Sequence, residues 1–166
     1  GLAVLLAAFM FFSKPADNTL HIATKPMTEQ YIIGAMLKEM IEQDTDIKVK
    51  ITQGVGGGTS NIQPGMVSGE FDLYPEYTST GWNTVLKHEG FYNETMYEQL
   101  VKEYQEKYHD ATHNCIAYIV GNQKKANDNG EPSGTAGLPM LDVLEKNELT
   151  NIIAIVTRYF GGIKLG

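Results

Sequence analysis

The chain has 166 residues, a net charge of −7 and a pI near 5.0. That acidity excludes a broad phosphate-binding surface, since nucleic-acid binders concentrate Lys and Arg, and no nucleic-acid partner is expected. Hydrophobic content of 42% and charged content of 20% are globular values that exclude wholesale disorder.

The acidity is uneven: residues 1–109 carry eight Lys, no Arg and fourteen acids, whereas residues 110–166 hold the single Arg, Arg158, and are close to neutral. A shift of this kind accompanies a domain boundary. One cysteine, Cys115, rules out an internal disulfide and a Cys-rich zinc site. His109, His113 and Cys115 can be drawn as a metal site, but no further ligand cluster follows and Cys115 sits in an apolar, strand-like run. No cofactor or metal is expected.

Gly1–Phe12 (GLAVLLAAFMFF) is almost wholly apolar. It is shorter than the ~20 residues a spanning helix needs. It reads as the outer end of a cut membrane helix or a signal-peptide core, with a buried core helix as the alternative. Lys14, Pro15 and Asp17–Asn18 then open a polar linker. Thr19–Lys25 alternates as a strand, and Thr28 N-caps a helix to about Gln43 with Ile33, Leu37, Met40 and Ile41 on one face. Asp46–Gln53 places Ile47, Val49 and Ile51 on one face of a second strand. Gly54–Gly58 makes a turn, and a helix starts at Thr59 or Ser60. The turn is not a phosphate loop, because no Lys follows and the glycine spacing departs from the dinucleotide fingerprint. A third strand, Phe71–Tyr77, has Pro75 near its end. Strand–helix–strand–helix–strand predicts one α/β lobe with a largely parallel sheet. Asn93 caps a helix to about Tyr108 with Tyr97, Leu100, Val101, Tyr104 and Tyr108 as its apolar stripe.

Ala111–Val120 reads as a strand and Asn122–Leu138 as a long loop of Gly, Asn, Asp and Ser. Pro139 opens a helix to about Asn147, and Asn151–Tyr159 is a β run. Gly134–Gly137 precede a helix N-terminus, where N–H groups and the dipole favour an anion. His113, Asp128, Glu131, Arg158 and Lys164 can converge on that edge. No nucleophile–base–orienter set assembles from them, Ser133 has no obvious partner, and no enzymatic activity is expected.

Gly57–Trp82 (GGTSNIQPGMVSGEFDLYPEYTSTGW) closely resembles the glycine betaine/choline substrate-binding domains of OpuC-type ABC transporters, a resemblance extending from about Leu20 to Tyr108. A quaternary ammonium neither donates nor accepts hydrogen bonds, so aromatic faces hold it by cation–π attraction. Tyr74, Tyr77, Trp82, Tyr92 and Tyr97 supply such faces at unusual local density. By the resemblance, Tyr77 and Tyr97 match cage aromatics, and Gln30 and Thr80 match polar contacts near the ligand. It implies a quaternary ammonium ligand, ABC permease and ATPase partners, and a domain on the extracellular face of the cell membrane, tethered through the apolar start. Binding proteins of this type close two lobes on the ligand, and only part of the first lobe is represented.

From Asp110 the phrases ATHNCIAYIVG, NDNGEPSGTAGLPMLDVL and VTRYFGGIKLG resemble the YigZ/IMPACT family, which implies an intracellular α+β domain linked to translation or stress regulation. The sequence therefore divides into residues 1–18 (apolar remnant and linker), 19–108 (partial α/β binding lobe) and 110–166 (partial α+β domain), joined near Tyr108–Asp110. The expected function is that of a substrate-binding fragment for quaternary ammonium osmolytes. The alternatives are a cytosolic regulatory domain, or a recombination or assembly join of two genes. The strand at Ala111 is expected to pair with Ile152–Val156 rather than with the front strands.

Overall fold

The computed structural model describes residues 4–11, as backbone, and 18–159. Val4–Phe11 is a strand, β1. This corrects the membrane-helix reading of Gly1–Phe12, of which residues 1–3 and 12 lie outside the described residues. An apolar run without periodicity fits a helix or a buried strand equally well, and here the backbone takes the extended form. No helix among the described residues is long and apolar enough to cross a membrane.

The chain forms two compact units; among the described residues, one contains residues 8–11, 18–75 and Tyr159, and the other residues 4–7 and Glu76–Arg158. In the first, β2 (Thr19–Ala23) pairs in parallel with β3 (Lys48–Thr52) from Thr19↔Lys48 to Ala23↔Thr52, and with β4 (Leu73–Tyr77) through Ile22↔Leu73. Helices α1 (Thr28–Asp44) and α2 (Thr59–Ser68) are the crossovers that a parallel sheet requires. Ile22, Val49 and Leu73 form a buried cluster, with Leu20, Leu37, Ile41 and Ile51 packed against it. Each such side chain contributes roughly 1.5–3 kcal/mol when fully buried. The expected α1 face is thus realised at Leu37 and Ile41, while Met40 is exposed. Thr28 is the first helical residue rather than the cap; Met27 stands at the N-cap without a side-chain bond.

In the second unit α3 (Thr78–Thr80) is a single turn that widens at Gly81–Val85. Asn93 Oδ1 accepts from Thr95 N–H, and after a 3-10 turn at Glu94–Met96 the helix α4 (Tyr97–Lys107) begins. Strand β5 (His113–Val120) pairs antiparallel with β6 (Gln123–Asn127) and with β7 (Ile152–Tyr159), running from His113↔Arg158 to Ile119↔Ile152. The expected pairing with Ile152–Val156 is present. The expected loop Asn122–Leu138 is shorter than its composition suggests, because β6 occupies its first part. Its burial is almost nil, so it carries no alternation to read, and hydrogen bonding to β5 alone makes it a strand. Helix α5 (Gly137–Lys146) begins two residues before Pro139. The architecture is parallel α/β in the first unit and antiparallel α+β in the second.

Residues 114–119 of β5 are all buried because β5 is covered on both faces. On one, Ala117, Ile119 and Ile152 form a cluster with Leu144 of α5, joined by Met140 and Leu141. On the other lies α4. Tyr97 meets the Tyr118 ring edge-on at 5.2 Å, Tyr118 donates its hydroxyl to Glu98 (3.0 Å), and Gln105 donates to the Asn114 carbonyl (2.9 Å). Buried Asn114 completes this seam, donating from Nδ2 to the Tyr108 carbonyl (2.8 Å) while its Oδ1 accepts from Thr157 Oγ1 (2.9 Å). Helix α4 is therefore an integral layer of the antiparallel unit.

Candidate functional site

Of the four residues assigned to a ligand by resemblance, Gln30 belongs to the first unit and Tyr77, Thr80 and Tyr97 to the second. Gln30 is fully buried in the first turns of α1. Its Oε1 accepts from the Lys25 N–H at 3.4 Å, and its Nε2 has no hydrogen-bond partner among the described residues. Tyr77 ends β4 half-buried, and Thr80, also half-buried, stands three residues later in α3. Tyr97 is half-buried against Tyr118.

The other aromatics have defined structural partners. Tyr74 is fully buried, and its hydroxyl accepts from Gln63 Nε2. Trp82 is buried and stacks on the His88 imidazole at 3.8 Å and 15°, with Tyr92 tilted against it at 6.0 Å. Burial raises the Tyr92 phenol above its ordinary value. His88 Nε2 pairs with Glu103 Oε2, which joins the stack to α4. That hydrogen bond, with help from Gln99, holds Glu103 below the usual carboxylate range. Trp82, His88 and Tyr92 thus form one packed cluster.

The polar residues of the back segment do converge, apart from Lys164, which lies outside the described residues. Antiparallel register sets His113 opposite Arg158. Glu131 pairs with Arg158 and lies 3.9 Å from His113 Nε2, while His113 Nδ1 donates to the Asn129 carbonyl (2.9 Å). Cys115 Sγ–H donates to the Asp128 carbonyl (3.2 Å). Burial first, then Glu131 and Asp128, push the Cys115 thiol up to about 11, which keeps it protonated and un-nucleophilic.

The anion expected at Gly134–Gly137 is supplied by the chain itself. Asp128 Oδ2 accepts from Gly134 N–H (2.7 Å), and Oδ1 accepts from Ala136 N–H (3.0 Å) and Gly137 N–H (2.8 Å). Its carboxylate so occupies the positive end of α5. No sequence cap announces this, because the capping group lies eight and nine residues upstream of the amides its Oδ1 serves.

These three amides, Gly134 first, hold the Asp128 carboxyl below its ordinary value of 3.8. A depressed folded value means the stabilisation is complete above the unfolded value and fades as pH falls through the folded one. The acid limb of a thermal-stability profile, followed by circular dichroism, is therefore expected to steepen below pH 3.8 and to flatten in Asp128→Asn. An unchanged limb in the variant would refute this capping role.

Two family models match the chain. The substrate-binding domain of ABC-type glycine betaine transport systems matches residues 18–120, and the Impact N-terminal domain matches residues 87–166. Residues 87–120, which include α4, lie in both. Among curated relatives, the ergothioneine transport permease/ergothioneine binding protein EgtU of Helicobacter pylori is 40% identical over 92 residues, covering 55% of this chain and 16% of that protein. IMPACT family member YvyE of Bacillus subtilis is 54% identical over 72 residues (42% of this chain, 33% of the relative). IMPACT family member YigZ of Escherichia coli is 42% identical over 71 residues (40% and 35%). The chain spans about a third or less of the length of each of these relatives. With a parallel α/β unit at its front and an IMPACT-like antiparallel unit behind, the chain is a chimera that belongs, over residues 18–120, to the substrate-binding domain family of ABC-type glycine betaine transport systems.

Proposed function

We propose that the chain is a fragment of the binding component of an ABC importer for small quaternary ammonium compounds such as glycine betaine or choline, working with permease and ATPase subunits at the extracellular face of the cell membrane, and that it is not an enzyme. The observation that carries this reading is Gln30. A buried amide nitrogen without a partner is destabilising by roughly 1–3 kcal/mol, a penalty a ligand acceptor removes. Gln30 also stands in the first turns of α1, where the N-terminal dipole favours a carboxylate. Glycine betaine and ergothioneine each combine a carboxylate with a trimethylammonium group. Tyr77, Thr80 and Tyr97 are the other residues the family likeness assigns to the ligand.

Calorimetry with glycine betaine, ergothioneine and choline tests this. Binding is expected to be weak, in the millimolar range, since an exposed cation–π contact contributes only ~0.5–1 kcal/mol. Gln30→Ala should weaken the two carboxylate ligands and spare choline, which has no carboxylate. Tyr77→Ala should abolish binding of all three, and Phe91→Ala, at a fully exposed aromatic, should leave it intact. Absence of heat with every ligand would sink the proposal. The second reading, an IMPACT-type cytosolic regulatory domain, is favoured by the match over residues 87–166 and would then stand beside that of a non-functional join.

A further inference from the structure

We propose that the outer face of α1 is a docking surface for a basic amphipathic helix, one whose apolar stripe is bordered by lysine or arginine. Ile32, Met36 and Met40 stand four residues apart, a spacing that lines them up on one side of a helix. They are 56%, 57% and 38% exposed. The helix already buries another side, where Leu37 and Ile41 pack against Ile22, Val49 and Leu73 of the parallel sheet. A surface helix whose core face is satisfied is ordinarily polar on the opposite side. Helix α1 is apolar on both, and the described residues leave its second stripe open to solvent.

Charge decides what can cover that stripe. Glu29 borders it at the N-terminal end, Glu39 along one flank and Asp44 beyond the C-terminal end, all three exposed. Lys38 is the single basic residue of α1, and it stands on the sheet side, donating to Glu42 Oε1 (2.6 Å) and to the Val49 carbonyl (2.7 Å). Gln43 donates to Glu39 at 2.8 Å, but a neutral amide leaves the charge of that carboxylate in place.

An acid-rimmed apolar face disfavours two other occupants. A second copy would set a matching rim of carboxylates against it, in a chain of net charge −7. Membrane surfaces are commonly anionic, and helices that lie on them carry lysine and arginine beside the apolar side. A helix with a lysine- or arginine-bordered stripe satisfies the apolar face and the acidic rim together. Methionine is unbranched and adaptable, which suits packing against a second helix. Gln30 lies on the buried side of α1, so this surface stands apart from the ligand reading.

Fluorescence anisotropy of the full chain with three labelled synthetic helices tests the proposal. One has a leucine stripe flanked by lysines, one has glutamate in place of each lysine, and one has the composition of the first, scrambled to break the stripe. The lysine-flanked helix is expected to bind roughly tenfold more tightly than either control, or better, and to weaken as salt is raised. Met36→Gln and Ile32→Gln remove apolar surface at exposed positions without changing charge, and each should weaken binding severalfold. Val143→Gln, at an exposed position of α5, should leave it unchanged. Equal binding of the scrambled helix would reduce the effect to bulk charge attraction and overturn the proposal. Absence of binding, or an affinity indifferent to both glutamine variants on α1, would overturn it too. A dimer in sedimentation that Met36→Gln dissolves would assign the face to a second copy instead, and the basic helix would be withdrawn.

Discussion

Replacing Gly137 by alanine should unfold the docking of α5 onto β6, with a loss of about 1–3 kcal/mol or more from an over-packed site. An added Cβ would stand 2.7 Å from Asn127 N, 2.9 Å from its C and 3.0 Å from its O. These are backbone atoms at the end of a paired strand, so they cannot swing aside as a side-chain tip would. The opposing effect is the better helix propensity of alanine, roughly 0.5–1 kcal/mol in a helix interior and smaller at the first residue of α5. The clash wins. It also displaces the Gly137 N–H from Asp128, so the cap is lost together with the packing. Urea denaturation should show a lower midpoint with little change in slope, and a midpoint equal to or above the parent's would contradict the close approach.

Leu100→Ala should be damaging in a different way. Leu100 is fully buried in α4, in a stripe continued by Val101 and Tyr104. Truncating such a side chain typically removes 2–5 kcal/mol, a large part of the 5–15 kcal/mol that holds a typical domain together. Because α4 is pinned to β5 through Tyr118 and Asn114, the loss should spread into the antiparallel sheet. Hydrogen exchange should quicken at β5 and β7 amides, and not only within the helix. Were α4 a loosely attached remnant of the front segment, exchange in β5 would be indifferent to the substitution.

Most of the fold was legible because most elements bury a face. The stripe Leu100, Val101, Tyr104 and Tyr108 is buried as its spacing requires, and the β runs around Ile116 and Ile153 are strands. Misreadings arose where burial leaves no imprint. Gln123–Asn127 is an exposed strand with no apolar alternation, and Val4–Phe11 is apolar at every position, so neither carries a period. The candidate ligand residues came from family likeness alone, since nothing in the spacing around Gln30 foretells a buried amide. The Asp128 cap was hidden for a related reason. Its partners are close in space only after β6 ends and the chain doubles back to start α5.

The sheet borders have a consequence for how the chain behaves at high concentration. β3 is hydrogen-bonded only to β2, and β6 only to β5, among the described pairings. Both present lysines to solvent, Lys48 and Lys50 on β3, Lys124 and Lys125 on β6. A second chain seeking to extend either sheet would have to strip water from these ammonium groups and bring like charges together. Such borders disfavour strand-by-strand stacking of copies, the route by which incomplete sheets commonly aggregate. A chain assembled from two partial domains thus carries, on each of its outer strands, a built-in guard against polymerising through them.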